Sequence, residues 1–154
     1  MSATVYLETS ALVKRYAVEP GTAWVRTLCD QPDQVIAVAL FGLVEVAAAA
    51  NGKRRGGAMD QVATDAVLAD LKADAASQYL LLNVDQLVVD EAIELTGRHR
   101  LRGYDAIHLA CALRLNRALV GHHVAPLTLV SADDDLLRAA RAEGFSAENP
   151  NLHP

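Results

Sequence analysis

Four acidic residues stand where a carboxylate needs a reason to be. Glu8 directly follows the short apolar run TVYL at residues 4–7, and Asp133 nearly directly follows LTLVS at residues 127–131. Glu45 lies inside LVEVAAAA at residues 43–50, where a lone ionised group is expensive unless it has a partner. Asp105 opens AIHLACAL at residues 106–113, a stretch apolar on almost every face and therefore expected as a buried helix. An isolated Asp at a helix start is ordinarily a cap, because free backbone N–H groups and the positive end of the dipole favour it there. Four such acids at equivalent places argue for chemistry instead. Carboxylates brought together repel and raise one another's pKa. A divalent cation removes that cost, and all-oxygen ligation favours Mg²⁺ or Mn²⁺ over zinc. An ion with open positions polarises a phosphoryl oxygen and activates water for in-line attack, so the natural substrate is a phosphodiester.

Competing chemistries find less support. Cys29 and Cys111 are the only cysteines, with neither CxxC spacing nor a disulfide framework, and Cys111 reads as a small core residue. His122 and His123 are adjacent rather than a helical turn apart, which suits a loop better than a zinc site. His108 falls one turn beyond Asp105 and reads as a core histidine with its hydrogen bonds satisfied.

The elements that must position the acids alternate between strand and helix. Strands are expected at 4–7, 35–39, 79–83 and 127–131. Thr9 or Ser10 can cap a short helix at 11–16, and a turn at Glu19, Pro20 and Gly21 leads to a helix at 22–30 with Trp24 and Leu28 inward. The Glu45 helix stops at Gly56 and Gly57. Residues 58–75 carry Val62, Val67, Leu68 and Leu71 at helical spacing, 86–96 form a helix closed by Gly97, and 133–143 form a last helix closed by Gly144. Such alternation gives right-handed crossovers and a parallel sheet covered on both faces, with a functional crevice outside the carboxyl ends of its strands. The expected unit is one α/β domain over 1–148 with a tail at 149–154, and no repeat or low-complexity linker interrupts it.

Composition agrees. Hydrophobic residues make up 52% of the 154 and aromatics only 5%, an aliphatic core suited to helices on a sheet. The apolar run at 35–50 is too short for a bilayer span and contains Glu45, and no signal peptide is visible, so a cytoplasmic protein is expected. A formal charge of −5 argues against a general nucleic-acid coat protein, although local clusters at Lys14–Arg15, Lys53–Arg54–Arg55 and Arg98/Arg100/Arg102 can steer a polyanion.

Taken in order, YLETSALVKRY, ALFGLVEVAAA, RGYDAIHLACAL and LVSADDDLLRAA resemble the PIN-domain ribonucleases, specifically the VapC-type toxins of toxin–antitoxin pairs. The resemblance covers essentially the whole chain, and its strength lies in four motifs in register. It implies a three-layer α/β/α fold with a mainly parallel sheet of four or five strands. It places the family's catalytic acids on Glu8, Glu45, Asp105 and Asp133, with Ser131 and Thr9 supporting. An Mg²⁺ or Mn²⁺ ion would be held by Glu8, Asp105 and Asp133, and Asp135 matches a position that helps hold a second ion. Also implied are endonucleolytic cleavage of RNA, a homodimer, and inhibition by a small VapB-like antitoxin; Lys14, Arg15, Arg100 and Arg102 would hold the RNA backbone.

The chain departs from the family at Glu8, where Asp is usual. The extra methylene moves the carboxylate out by about 1.5 Å, and a misplacement of about 1 Å can cost roughly a hundredfold in rate. The alternative expectation is therefore a catalytically weakened or inactive PIN-fold module that binds antitoxin, with RNA as a further candidate ligand. A phosphoacceptor receiver domain, which also gathers acids at strand ends, fits less well: such domains carry paired acids after the first strand, and here Thr9 and Ser10 follow Glu8.

Overall fold

Five short parallel strands form one sheet in a computed structural model that describes residues 3–154. The central strand is β1 (Ala3–Leu7), with β2 (Gln34–Ala39) and then β3 (Tyr79–Leu82) on one side. On its other side lie β4 (Thr128–Val130) and then β5 (Ser146–Glu148). Strands alternate their side chains between faces, and β1 uses both. Val5 and Leu7 pack with Leu12, Val25, Val46 and Leu71, which come from α1 (Thr9–Tyr16), α2 (Thr22–Cys29), α3 (Gly42–Arg55) and α4 (Gln61–Ser77). Tyr6 points the other way. It joins Leu95, Leu109 and Leu136 from α5 (Gln86–Arg98), α6 (Gly103–Gly121) and α7 (Asp134–Ala142). The result is the expected three-layer α/β/α architecture.

The chain runs from β1 to β2 and β3, then returns past α5 and α6 to β4 and β5. Strand order thus reverses between β1 and β4, and ligands in open parallel sheets bind in the crevice at such a point. Leu7 stands opposite Val130, and the Glu8 N–H donates to the Val130 carbonyl at 3.0 Å. Residues 8 and 131 therefore leave the sheet side by side.

Several local expectations change. The cap of α1 is Glu8 itself, whose carboxylate accepts the Ser10 N–H, rather than a hydroxyl of Thr9 or Ser10. Helix α5 runs through Gly97 to Arg98. In α2 the inner face belongs to Val25 and Cys29, with Trp24 and Leu28 only partly buried, and Val62 of α4 is exposed. Of the six residues read as a tail, Asn149 and Pro150 are buried, Pro150–Leu152 form a 3₁₀ turn against α2, and the His153 ring stacks on Trp24 with centroids 4.4 Å apart. Among the described residues, no helix is long and apolar enough to cross a membrane.

Gly21 is where this packing is tightest. Its φ of +89° is left-handed, and an added Cβ would lie 2.4 Å from the Pro150 carbonyl oxygen. Gly21→Ala is expected to cost about 1–3 kcal/mol from backbone strain alone, plus displacement of the terminal turn. Calorimetry should then record a Tm lower by about 3 °C or more, and a loss below about 1 °C would contradict this packing.

Candidate active site

The end of β1 supplies Glu8, which is 5% exposed. Its Oε2 accepts the Ser10 N–H at 3.1 Å, the Ser10 hydroxyl, and the Ser131 hydroxyl at 2.8 Å. Both serines also reach the end of β4. Ser131 accepts the Asp133 N–H at 3.0 Å, and Ser10 accepts the Ala132 N–H at 2.8 Å. Two hydroxyls thus clamp the carboxylate while tying β1 to β4. The extra methylene of Glu8 is absorbed by folding the side chain back onto the start of its own helix.

Glu45 projects from the first turn of α3 and does not join that clamp. Its Oε1 accepts the Thr9 hydroxyl at 2.7 Å and lies 2.7 Å from Nε2 of His108. Burial pushes the Glu45 carboxyl up, but the hydrogen bonds from His108 and Thr9 and the nearby imidazole outweigh it and hold the group below its ordinary range. His108 is completely buried, and its Nδ1 meets the Tyr6 hydroxyl at 2.6 Å. It is the satisfied core histidine expected, yet one of its partners is a candidate catalytic acid. Thr9 accordingly supports Glu45, while Ser10 and Ser131 support Glu8.

Asp105 is the third residue of α6 and Asp133 the cap of α7, where Oδ1 of Asp133 accepts the Leu136 N–H at 2.9 Å. Both line a polar cleft of about 420 Å³ with Thr96, Arg100, Arg102 and Asp135. Burial, then the charges of Asp133 and Glu8, push the Asp105 carboxyl up to about 6, despite His108 and Arg102 pulling it down. Asp135 lies further out, paired with Arg138 at 2.7 Å.

The basic residues divide. Arg100 and Arg102 are exposed on the cleft wall, with Arg102 bonded to the Tyr104 hydroxyl at 2.6 Å. Lys14 and Arg15 are elsewhere. Lys14 is 3% exposed and pairs with Glu19 at 3.2 Å, while Arg15 bonds the Tyr79 hydroxyl and the Gln78 side chain, each at 2.8 Å. Their charge serves the packing of α1, and neither lines the cleft.

Among the described residues, no three His, Cys, Asp or Glu side chains stand ready as a ligand set for one ion. The acids form two subsets instead, Glu8 with Asp105 and Asp133, and Glu45 with His108. The donor chemistry nevertheless fits a hard cation. The first subset is all oxygen, and burial together with the neighbouring charges of Asp133 and Glu8 raises the Asp105 carboxyl, a cost that a bound cation would relieve. Sequence reasoning missed Ser10, Tyr6 and the tie from His108 to Glu45. The Tyr6–His108 contact spans 102 residues, and only the alternation along β1, which turns Tyr6 toward α6, hinted at it.

The chain is similar to known proteins in sequence and in fold. The family model for the PIN domain matches residues 5–142. Ribonuclease VapC47 of Mycobacterium tuberculosis (strain CDC 1551 / Oshkosh) is 30% identical over 153 residues, covering 95% of this chain and 96% of the relative. The crystal structure of PAE2754 from Pyrobaculum aerophilum superposes with a TM-score of 0.65 at 18% identity, covering 99% of this chain and 93% of the other. A toxin–antitoxin complex from Klebsiella pneumoniae superposes with a TM-score of 0.58 at 17% identity, covering 95% and 97%. The order of strands, the acids at their carboxyl ends and the sequence match converge on one assignment: the chain belongs to the PIN-domain family.

Proposed function

We propose that this protein is a metal-dependent endoribonuclease of VapC type, the toxin of a pair whose antitoxin is VapB-like, acting as a homodimer in the cytoplasm. The observation that carries the catalytic reading is the Asp105 carboxyl, lifted to about 6 beside Asp133 and Glu8 in a cleft walled by Arg100 and Arg102. Support for the antitoxin comes from the structural likeness to a toxin–antitoxin complex and from the 30% identity to a VapC ribonuclease.

Asp105 and Asp133 would hold the ion, with the second oxygen of Glu8, and Asp135, paired with Arg138, would assist a further one on release from it. A bound Mg²⁺ or Mn²⁺ would neutralise charge on a phosphoryl oxygen and lower the pKa of a water. The chain's own residues orient the rest. Ser10 and Ser131 fix Glu8 through Oε2 and leave its other oxygen toward the ion, and Arg100 and Arg102 bind flanking phosphates. Glu45, kept ionised by its partners, retains one carboxylate oxygen to accept a hydrogen bond or a proton.

A second reading has a specific observation in its favour: Oε2 of Glu8 is already committed to three donors. On that reading the protein binds antitoxin and RNA with little or no turnover.

Asp105→Asn separates the two. The nuclease reading expects Mn²⁺-dependent cleavage of purified RNA by the unaltered chain and a loss of about a hundredfold or more in the variant. The same substitution bears on stability. A carboxyl whose folded pKa exceeds its unfolded one binds more protons in the fold, so stability falls as pH rises from about 4 to about 6. Metal-free Asp105→Asn should therefore melt about 2–6 °C higher than the unaltered chain at pH 7.5, without that decline. Equal cleavage and equal melting would remove Asp105 from the mechanism.

Arg100→Ala with Arg102→Ala should weaken RNA binding and reduce the slope of log K against log salt by about 1 per residue. Fluorescence anisotropy at several salt concentrations reads this directly, and an unchanged slope would place the phosphate contacts elsewhere.

A further inference from the structure

We infer that Tyr6 and His108 are positioning residues whose hydrogen-bonded chain fixes which oxygen of Glu45 is presented to the reaction; the inference rests on the nuclease reading above. The order of the chain follows from donor and acceptor capacity. An ionised carboxylate only accepts, so Nε2 of His108, 2.7 Å from Glu45 Oε1, must carry the hydrogen there. In the neutral ring Nδ1 is then the acceptor, and its partner at 2.6 Å, the Tyr6 hydroxyl, must donate. Tyr6 is suited to that role. It is completely buried, where a neutral phenol that donates its O–H is favoured over a phenolate.

The ring has little freedom to escape this arrangement. The Phe41 ring packs on it with centroids 4.6 Å apart, and Tyr6 meets it edge-on at 77°. Thr9 supplies the second donor to the same Oε1 at 2.7 Å. Two donors on one oxygen leave the other, Oε2, as the acceptor available to solvent or substrate. Because Tyr6 and His108 belong to the α5–α7 side of the sheet and Glu45 to α3 on the other, the chain also bridges the two helical layers. Groups that orient a catalytic carboxylate from behind typically cost 10–100-fold in metal affinity or activity when removed.

The test joins a tautomer measurement to a conservative variant. In the metal-free, unaltered protein, ¹⁵N NMR of the His108 ring should find the hydrogen on Nε2 and none on Nδ1. Tyr6→Phe keeps the ring packing and deletes only the donor. It should lower kcat for RNA by about tenfold, with RNA KM unchanged. His108→Gln, which keeps an N–H donor, should retain more activity than His108→Leu. A hydrogen on Nδ1, or Tyr6→Phe matching an active parent in kcat, overturns the inference alone. A parent that neither binds Mn²⁺ nor cuts RNA overturns the nuclease reading and this inference with it.

Discussion

Carboxylates gathered where a parallel sheet reverses its strand order repel one another, and the repulsion strengthens as water is excluded. Asp105 carries the clearest mark of it, since burial and the charges of Asp133 and Glu8 lift its carboxyl to about 6. Protonation or a cation relieves such a site, and near neutral pH a carboxyl of that pKa is mostly ionised. The rest of the architecture can be understood as what holds this strain in place. The pairing of Leu7 with Val130 delivers residues 8 and 131 together, α6 buries Asp105 at its opening turn, and α7 begins on Asp133.

Each of the other acids has one oxygen spoken for. Glu8 gives Oε2 to Ser10 and Ser131, Asp133 gives Oδ1 to the Leu136 N–H, and Glu45 gives Oε1 to Thr9 and His108. A carboxylate held by one oxygen keeps its direction without losing its charge, which suits a centre whose groups must not reorganise as charge develops. Serine and threonine hydroxyls perform this beside the sheet, and a buried imidazole performs it across the helical layers. The longer Glu8 is compatible with such an edge because its clamp lies at the helix start, where the carboxylate also caps α1.

Much of this was legible in the chain. Alternation of apolar runs named four strands in place, and acids at strand ends stood out in the sequence, because period and charge are local signals. What escaped was non-local or polar. Strand β5 is three residues, SAE, defined by pairing Glu148 with Val130 rather than by its own pattern. Glu8 as a cap runs against the preference for shorter side chains and depends on a serine 123 residues away. Lys14 and Arg15 looked like an anion-binding pair, yet Glu19 lies close enough to claim one, and Tyr79 and Gln78, far along the chain, claim the other. Adjacent charges in sequence do not reveal which of them the fold will consume.

Diffraction from crystals soaked in Mn²⁺ at pH 7.5, recorded at a wavelength where manganese scatters anomalously, tests the central claim most directly. An ion bridging Asp105 and Asp133 at about 2.0–2.6 Å from each carboxylate, the range for oxygen ligands of hard cations, is the predicted result. Full-occupancy soaking that leaves no anomalous peak between those two residues would contradict it.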